Sequence, residues 1–207
     1  MIKILRSLTA CILIAAVYTA SAEQIKRVPV VILETELGAI EIEVYSNRAP
    51  LSSASFLSYV DNGSFTEKGA FYRAVRTDND NNKSIGIEII QGGILKLDSL
   101  LSSPGIPHES TNLTGLLHVS GAVSLARKEP GTGNGAVFFI CIGDQPEMDF
   151  GGKRNPDGQG YAVFGQVRKG MDVVMAIQQQ KTSEWPGYPG YPQLIEKPIT
   201  IIKAYRQ

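Results

Sequence analysis

Cysteine and histidine are scarce in this sequence, with two of each in 207 residues. Cys11 falls in an apolar N-terminal segment, so Cys141 is the only cysteine in the rest of the chain and no disulfide can form there. His108 and His118 have no tight spacing to cysteine or carboxylates, which argues against a zinc site. Cys141 lies in an apolar stretch, and a small buried hydrophobe is its simplest interpretation.

An excess of positive or negative charge is also missing, because lysine plus arginine and aspartate plus glutamate number 20 each. A nucleic-acid partner would favour a basic field, which this balance argues against. Residues 129–134 are rich in glycine, but no phosphate-binding pattern leads from them into a helix. The sequence therefore predicts no nucleotide cofactor, no metal and no nucleic-acid partner.

We predict that residues 1–22 are a cleavable signal peptide. Lys3 and Arg6 give a positive start, residues 8–17 are an apolar run, and small residues then form a cleavage site. The run is too short to span a bilayer, so stable membrane insertion is not expected. We expect the mature chain, residues 23–207, to be periplasmic or secreted.

Short strands dominate the rest of the pattern. Residues 28–35 are mostly apolar and β-branched, and residues 40–44 alternate apolar side chains with glutamates. This pattern predicts a β-hairpin whose second strand has one solvent-exposed face. Ala49-Pro50 opens an amphipathic helix that Asn62-Gly63 ends, and a second helix starts at Gly170. Further strands follow without βαβ alternation. We predict one domain, an antiparallel sheet or barrel with two packing helices.

Three segments carry residues suited to a binding site. Phe71-Tyr72-Arg73 places a cation at the end of an aromatic strand, Gln91-Gly92-Gly93 brings an amide, and residues 136–140 supply an aromatic wall. A cation, an amide and a phenyl surface suit a neutral, apolar substrate that contains an amide. From the residues alone, however, a surface ion pair is the commoner role of such an arginine.

The order of these segments resembles the cyclophilins, the cyclophilin-type peptidyl-prolyl cis-trans isomerases. The resemblance runs from Val28 to the C-terminus and rests on an ordered set of motifs: Ala49-Pro50 with Phe56, Phe71-Tyr72-Arg73, residues 90–93, residues 121–126, Asn134-Gly135, Phe138-Phe139-Ile140, residues 161–167 and residues 170–174. It implies a mainly β fold, a closed eight-stranded antiparallel β-barrel capped by two α-helices. Bacterial exported members look most similar, since many carry tyrosine where Tyr161 stands.

The resemblance also implies roles for single residues. Arg73 matches the catalytic arginine, Gln91 the glutamine that accompanies it, and Phe139 the floor of the pocket that receives a proline ring. Four further matches line the pocket or the adjacent groove: Ile89, Ala126, Met148 and Tyr161. The implied activity is rotation of X–Pro bonds during the folding of exported proteins. A monomer without cofactor or metal is expected, acting on proline-containing polypeptides.

Three positions depart from the family's pattern. Glu88 replaces a pocket phenylalanine, and Val137 replaces a glutamine that hydrogen-bonds the substrate backbone. Glu147 stands where many members have an aromatic residue that helps to bind cyclosporin, so weak inhibition is expected. The first two departures motivate an alternative, a catalytically weak or inactive proline-peptide binding module or chaperone on the same fold.

Overall fold

The computed structural model describes residues 28–94 and 104–207. The predicted signal peptide, residues 1–22, lies outside the described residues. Nine strands are present in the described chain: β1 (Val30–Thr35), β2 (Gly38–Val44), β3 (Gly69–Val75), β4 (Ile89–Ile94), β5 (Ala122–Leu125), β6 (Val137–Cys141), β7 (Ala162–Lys169), β8 (Thr182–Ser183) and β9 (Leu194–Arg206).

Eight of these strands close into a barrel. They lie in the order β1-β2-β7-β5-β6-β4-β3-β9, and β9 pairs again with β1. Every pairing is antiparallel, and the two-residue β8 joins only β9. The predicted closed eight-stranded antiparallel barrel is confirmed. Closure leaves none of the eight strands with a free edge.

The described chain also has four helices: α1 (Pro50–Asp61), α2 (Ser64–Lys68), α3 (Thr111–Thr114) and α4 (Met171–Gln178). α1 follows the Val44 end of β2, whereas Val173 of α4 packs at Gly38 on the other end, so the two longer helices cap opposite ends of the barrel. α2 and α3 are short additions that the sequence pattern did not predict. No helix within residues 28–94 and 104–207 has the length and apolarity needed to cross a membrane.

A distant loop residue holds the start of α1. The N-cap residue Ala49 makes no side-chain hydrogen bond. Instead, the carboxylate of Glu109 accepts hydrogen bonds from the backbone N–H groups of Leu51 (3.1 Å) and Ser52 (2.7 Å). The first turn of a helix leaves such donors unpaired, and its dipole favours a negative charge there. This contact fixes α1 to the segment that leads into β5.

Aromatic rings fill the barrel interior beneath α1. Phe138 of β6 lies 5.3 Å from Phe56 and 5.8 Å from Phe71 between ring centroids, both edge to face, a favoured geometry for aromatic pairs. Phe65 also packs on Phe138, at 5.7 Å. Because side chains alternate along a strand, the neighbouring Phe139 points out of the barrel. Phe138 therefore fills the barrel interior, while Phe139, although only 2% exposed, lies on the outer face of the sheet.

The last strand contains a proline, Pro198, although proline is best tolerated at the first residue of a strand. β9 begins before it, at Leu194. The register between β3 and β9 shifts where β3 passes from Phe71 to Arg73, and Pro198 falls within the irregular stretch of β9. A proline at such an irregularity breaks no ladder hydrogen bond. The earlier start brings Gln193, the residue before β9, next to the site.

Candidate active site

Three neighbouring strands place the predicted site residues in one row. Arg73 of β3 lies opposite Gln91 of β4, and Gln91 lies opposite Phe139 of β6. Along a regular strand Phe71 and Arg73 would share a face, but two residues of β3 oppose one residue of β4 at this point. A bulge of this kind re-aims side chains. Phe71 therefore enters the barrel interior while Arg73 faces outward with Gln91 and Phe139.

Arg73 is half-buried and held by two amides. Its Nη1 donates to Oε1 of Gln91 at 2.9 Å, and its Nε and Nη2 both donate to Oε1 of Gln193 at 3.2 and 3.1 Å. A guanidinium carries five N–H donors, so these bonds leave one N–H on each terminal nitrogen without a partner among the described residues. Burial lowers the pKa of Arg73 from its usual value, yet a guanidinium stays protonated at neutral pH.

Gln91 is oriented from its other side by Tyr72. Its Nε2 donates to the Tyr72 hydroxyl oxygen at 3.2 Å, and burial raises the pKa of Tyr72 to about 12. The two glycines that follow allow this packing. A Cβ at Gly92 would lie 2.6 Å from the ring of Phe71, and Gly93 has a φ of 133°, a region that favours glycine. Strand β4 can therefore carry an amide beside Arg73 while lying against the core ring.

All seven predicted site residues line one cleft of about 450 Å³. Tyr161 stands edge-on to Phe139, with ring centroids 5.2 Å apart and planes at 86°. The backbone N–H of Tyr161 donates to the carbonyl of Met148 at 3.0 Å, which joins these two cleft residues. We call the row of Arg73, Gln91 and Phe139 the floor of the cleft. The remaining predicted residues complete the lining: Ile89, Ala126, Met148 and Tyr161.

A buried polar network supports Phe139 from behind. The ring of His118 stacks on that of Phe139 at 5.9 Å. Nδ1 of His118 lies 2.7 Å from Oδ1 of Asp149, and Nε2 lies 3.1 Å from the hydroxyl of Ser124. The constellation has the residue types of a hydrolytic triad, but Ser124 and His118 are 0% and 1% exposed, so no substrate can reach them. Burial lowers the pKa of His118, more than Asp149 raises it, so the ring is neutral at neutral pH.

Two further arginines line the cleft, each paired with a carboxylate. Arg127 makes a bidentate pair with Asp157 at 2.7 and 2.9 Å, and its guanidinium carbon lies 5.3 Å from the ring centroid of Tyr161. Arg154 pairs with Asp80 at 2.7 and 3.1 Å. We call Arg127, Arg154 and their two carboxylate partners the rim of the cleft. The Arg127 hydrogen bond lowers the pKa of Asp157 to about 2.

The sequence analysis missed Gln193 and Arg154 as parts of the site. Gln193 is separated from Arg73 by 120 residues, and Arg154 from Asp80 by 74. Neither residue belongs to the motifs that carried the resemblance. Only a residue-level alignment of the loops after β6 and before β9 could have singled them out.

The positions that depart from the family's pattern lie outside the cleft lining. Glu88 is half-buried, and the cleft wall is formed by its neighbours Ile87 and Ile89. Val137 is fully buried in the core. Glu147 is exposed and accepts a hydrogen bond from the backbone N–H of Lys153 at 2.9 Å. None of these residues brings a charge to the surface that lines the cleft.

Cys141 does not line the cleft. Cys141 is fully buried in β6, and burial raises the pKa of its thiol. Within residues 28–94 and 104–207, no three His, Cys, Asp or Glu side chains are grouped so that they could hold a metal ion.

Comparison with known families decides the class of this site. The model of the family described as cyclophilin type peptidyl-prolyl cis-trans isomerase/CLD matches residues 30–205. The chain belongs to this family. The predicted family and the predicted enzyme class, peptidyl-prolyl isomerase, are confirmed.

Bacterial peptidyl-prolyl cis-trans isomerases are similar over most of the chain. The peptidyl-prolyl cis-trans isomerase of Acinetobacter baylyi is 33% identical over 172 residues, which cover 83% of this chain and 82% of that protein. Peptidyl-prolyl cis-trans isomerase B of Escherichia coli is 30% identical over 176 residues, covering 84% and 96%. Both matches therefore cover more than four fifths of this chain.

Solved cyclophilins share the fold at lower identity. A cyclophilin type peptidyl-prolyl cis-trans isomerase of Cryptosporidium parvum superposes with a TM-score of 0.63 at 18% identity, covering 87% of this chain and 98% of that one. The same protein solved in the presence of the dipeptide Ala-Pro gives a TM-score of 0.60 at 19% identity, covering 86% and 98%.

Proposed function

We propose that this cyclophilin accelerates rotation of X–Pro bonds in exported polypeptides while they fold, with Arg73 as its catalytic residue. The observation that supports the proposal is the floor of the cleft. There the guanidinium of Arg73, with two N–H groups that have no partner among the described residues, lies in the same cleft as the aromatic ring of Phe139. The presence of Ala-Pro with the C. parvum relative supports a proline-containing ligand for the same cleft.

Arg73 would act on the transition state of amide rotation. Resonance sets a barrier of about 18–20 kcal/mol to this rotation, and uncatalysed X–Pro bonds isomerise in tens to hundreds of seconds. In the twisted amide the nitrogen loses conjugation, and its lone pair becomes a hydrogen-bond acceptor. An N–H of Arg73 aimed at that nitrogen stabilises the twisted amide more than the planar one, which lowers the barrier.

The other cleft residues would hold the substrate on both sides of the rotating bond. Gln91 would bind the side of the bond that stays fixed, while the carbonyl before proline swings. Ala126, being small, would leave the groove open for the residues before proline. No bond is made or broken, so neither nucleophile nor cofactor is needed. An apolar pocket would hold the proline ring: Phe139, Ile89, Met148 and Tyr161.

Exchange NMR on an X–Pro peptide, with wild type and Arg73→Ala, tests this assignment. We expect wild type to accelerate cis–trans exchange and Arg73→Ala to lower kcat/KM by about 100-fold, the usual effect of removing one electrostatic donor. Circular dichroism provides the control for folding. Full activity in Arg73→Ala would remove Arg73 from the mechanism. Saturable binding by wild type without faster exchange would favour the alternative, a proline-peptide binding module.

We also propose that the chain is a bacterial exported cyclophilin whose residues 1–22 are removed. The family match begins at residue 30, so cleavage after residue 22 would leave the whole domain intact. Intact-mass measurement on fractionated bacterial cells tests the proposal. The expected species is residues 23–207 outside the cytoplasm, and an uncleaved chain confined to the cytoplasm would contradict it.

A further inference from the structure

Arg73 differs from an ordinary buried arginine in the chemistry of its partners. Its three hydrogen bonds within the described chain all go to amide oxygens, one of Gln91 and one of Gln193. Buried charges in proteins are normally paired with an opposite charge. Here the guanidinium is held in position, but its charge is left uncompensated by either partner.

Gln193 supplies most of this restraint. A single oxygen of Gln193 accepts from both Nε and Nη2, while Gln91 accepts from Nη1 on the other side. Because a guanidinium is planar and rigid, contacts at both sides fix the directions of its two remaining N–H groups. Gln91 alone would leave the Nε edge free to turn.

Gln193 is itself firmly placed. It is 2% exposed, its Nε2 donates to the carbonyl of Asn79 at 3.2 Å, and its own carbonyl accepts from the backbone N–H of Ala74 at 2.9 Å. It precedes Leu194, which lies opposite Arg73 in the sheet. The side chain therefore reaches Arg73 from a backbone that is anchored on both sides.

We propose that Gln193 is a positioning residue of the isomerase, which locks the Arg73 guanidinium through a neutral acceptor and so leaves its charge and two N–H groups for the substrate. The inference rests on the proposed function. It predicts that the neutrality of the amide matters as well as its shape. A carboxylate at this position would hold Arg73 more tightly but would neutralise the charge that stabilises the twisted amide.

Three variants separate position, charge and folding. Gln193→Met keeps the approximate volume but removes the acceptor, so Arg73 can turn away. Gln193→Glu keeps an acceptor oxygen for Arg73 and adds a negative charge, which stays ionised beside Arg73. It also replaces the N–H group that bonds the Asn79 carbonyl with an oxygen. Gln178→Met is the matched control, since Gln178 is also buried, donates to the carbonyl of Val75 and lies outside the cleft lining.

The measurements are the melting temperature, the Kd for an X–Pro peptide and the exchange rate of the bound peptide by NMR. We expect Gln193→Met and Gln193→Glu each to lower the bound-state exchange rate by about 10-fold or more, as misaligned or neutralised donors do. The Kd should change by less than about 3-fold, because the interaction is made mainly in the transition state. Gln193→Glu should remain folded, because the new ion pair with Arg73 opposes the loss of the hydrogen bond to the Asn79 carbonyl. Gln178→Met should keep the wild-type exchange rate.

Each outcome is decisive. Wild-type exchange rates in folded Gln193→Met and Gln193→Glu would overturn the role of Gln193 while leaving the isomerase function intact. A loss in Gln193→Met but not in Gln193→Glu would overturn the claim that neutrality matters. Absence of exchange in wild type would overturn the proposed function and this inference together.

Discussion

The arginines at the rim and the arginine on the floor of the cleft are held in opposite ways. Arg127 and Arg154 are each neutralised by a carboxylate, whereas Arg73 is held by amides. The rim arginines also bind loop carbonyls, with Arg127 donating to Gly160 at 2.7 Å and Arg154 to Ile85 at 2.6 Å. These contacts of the rim arginines are with other groups of the protein, whereas two N–H groups of Arg73 have no partner among the described residues.

This difference separates structural cations from a functional one within a single cleft. An arginine whose donors and charge are satisfied by the fold stabilises the loops that it joins. An arginine oriented by neutral groups keeps its electrostatic capacity for a ligand, at some cost in stability because a partly buried charge has no carboxylate in direct contact. The same residue type therefore serves two purposes, and its partners indicate which.

The strongest test of this difference between the arginines is the same substitution at all three positions. Lysine keeps the charge but lacks the planar fork, so Arg73→Lys cannot contact both amides and the substrate together. We expect a fall in kcat of about 100-fold. Arg127→Lys and Arg154→Lys should change kcat by less than about 3-fold, since their guanidinium groups serve the loops. Peptide exchange by NMR measures the rates.

The melting temperatures of the three variants provide the converse test. Arg154→Lys should lower the melting temperature most, because Asp80 is 2% exposed and loses a bidentate partner. A kcat loss of similar size in all three variants would contradict the division between rim and floor.

Removing the carboxylate of Asp80 from the rim should lower the stability of the folded protein. Asp80 accepts from Arg154 and from the backbone N–H groups of Asn82 and Ile87 at 3.1 and 3.0 Å, so it holds the loop that ends in the cleft wall. Asp80→Asn should lower the free energy of unfolding by about 3 kcal/mol, typical of breaking a buried ion pair. Asp78→Asn is the control, since Asp78 is 72% exposed and should matter by less than about 0.5 kcal/mol. Equal effects in urea unfolding would show that the Asp80 pair is not structural.

The smallest expected effect concerns the support of the floor by neutral His118. Its folded pKa lies below the ordinary 6.5 because of burial, so the unfolded chain binds the proton more readily. The resulting stability is complete above pH 6.5 and is lost as the pH falls toward the folded pKa, with a slope of up to about 1.4 kcal/mol per pH unit. Urea unfolding from pH 7.5 to 5 should show this slope in wild type and a smaller one in His118→Gln. Identical slopes would contradict a buried neutral histidine.

Much of the fold and the row of floor residues could be predicted from the sequence. The short alternating segments indicated an antiparallel sheet or barrel, and the motifs around Arg73, Gln91 and Phe139 resembled one family in a fixed order. Such signals are local, because strand periodicity and short motifs are properties of neighbouring residues. The register of the barrel then brings the predicted residues together.

The partners that distinguish rim from floor could not be predicted in this way. Gln193 reaches Arg73, and Asp80 reaches Arg154, across loops whose paths no periodicity describes. The bulge that turns Arg73 outward is likewise a pairing property of two strands, invisible in β3 alone. Glu88 and Val137 show the opposite case, since they suggested a changed pocket but lie outside the cleft lining.

The floor of this cleft is proposed to catalyse X–Pro rotation in addition to binding proline peptides. The most direct measurement is the cis–trans exchange rate of an X–Pro peptide under saturation by wild-type protein, followed by NMR. We expect exchange many times faster than the uncatalysed process, which takes tens to hundreds of seconds. Saturable peptide binding with exchange at the uncatalysed rate would contradict it.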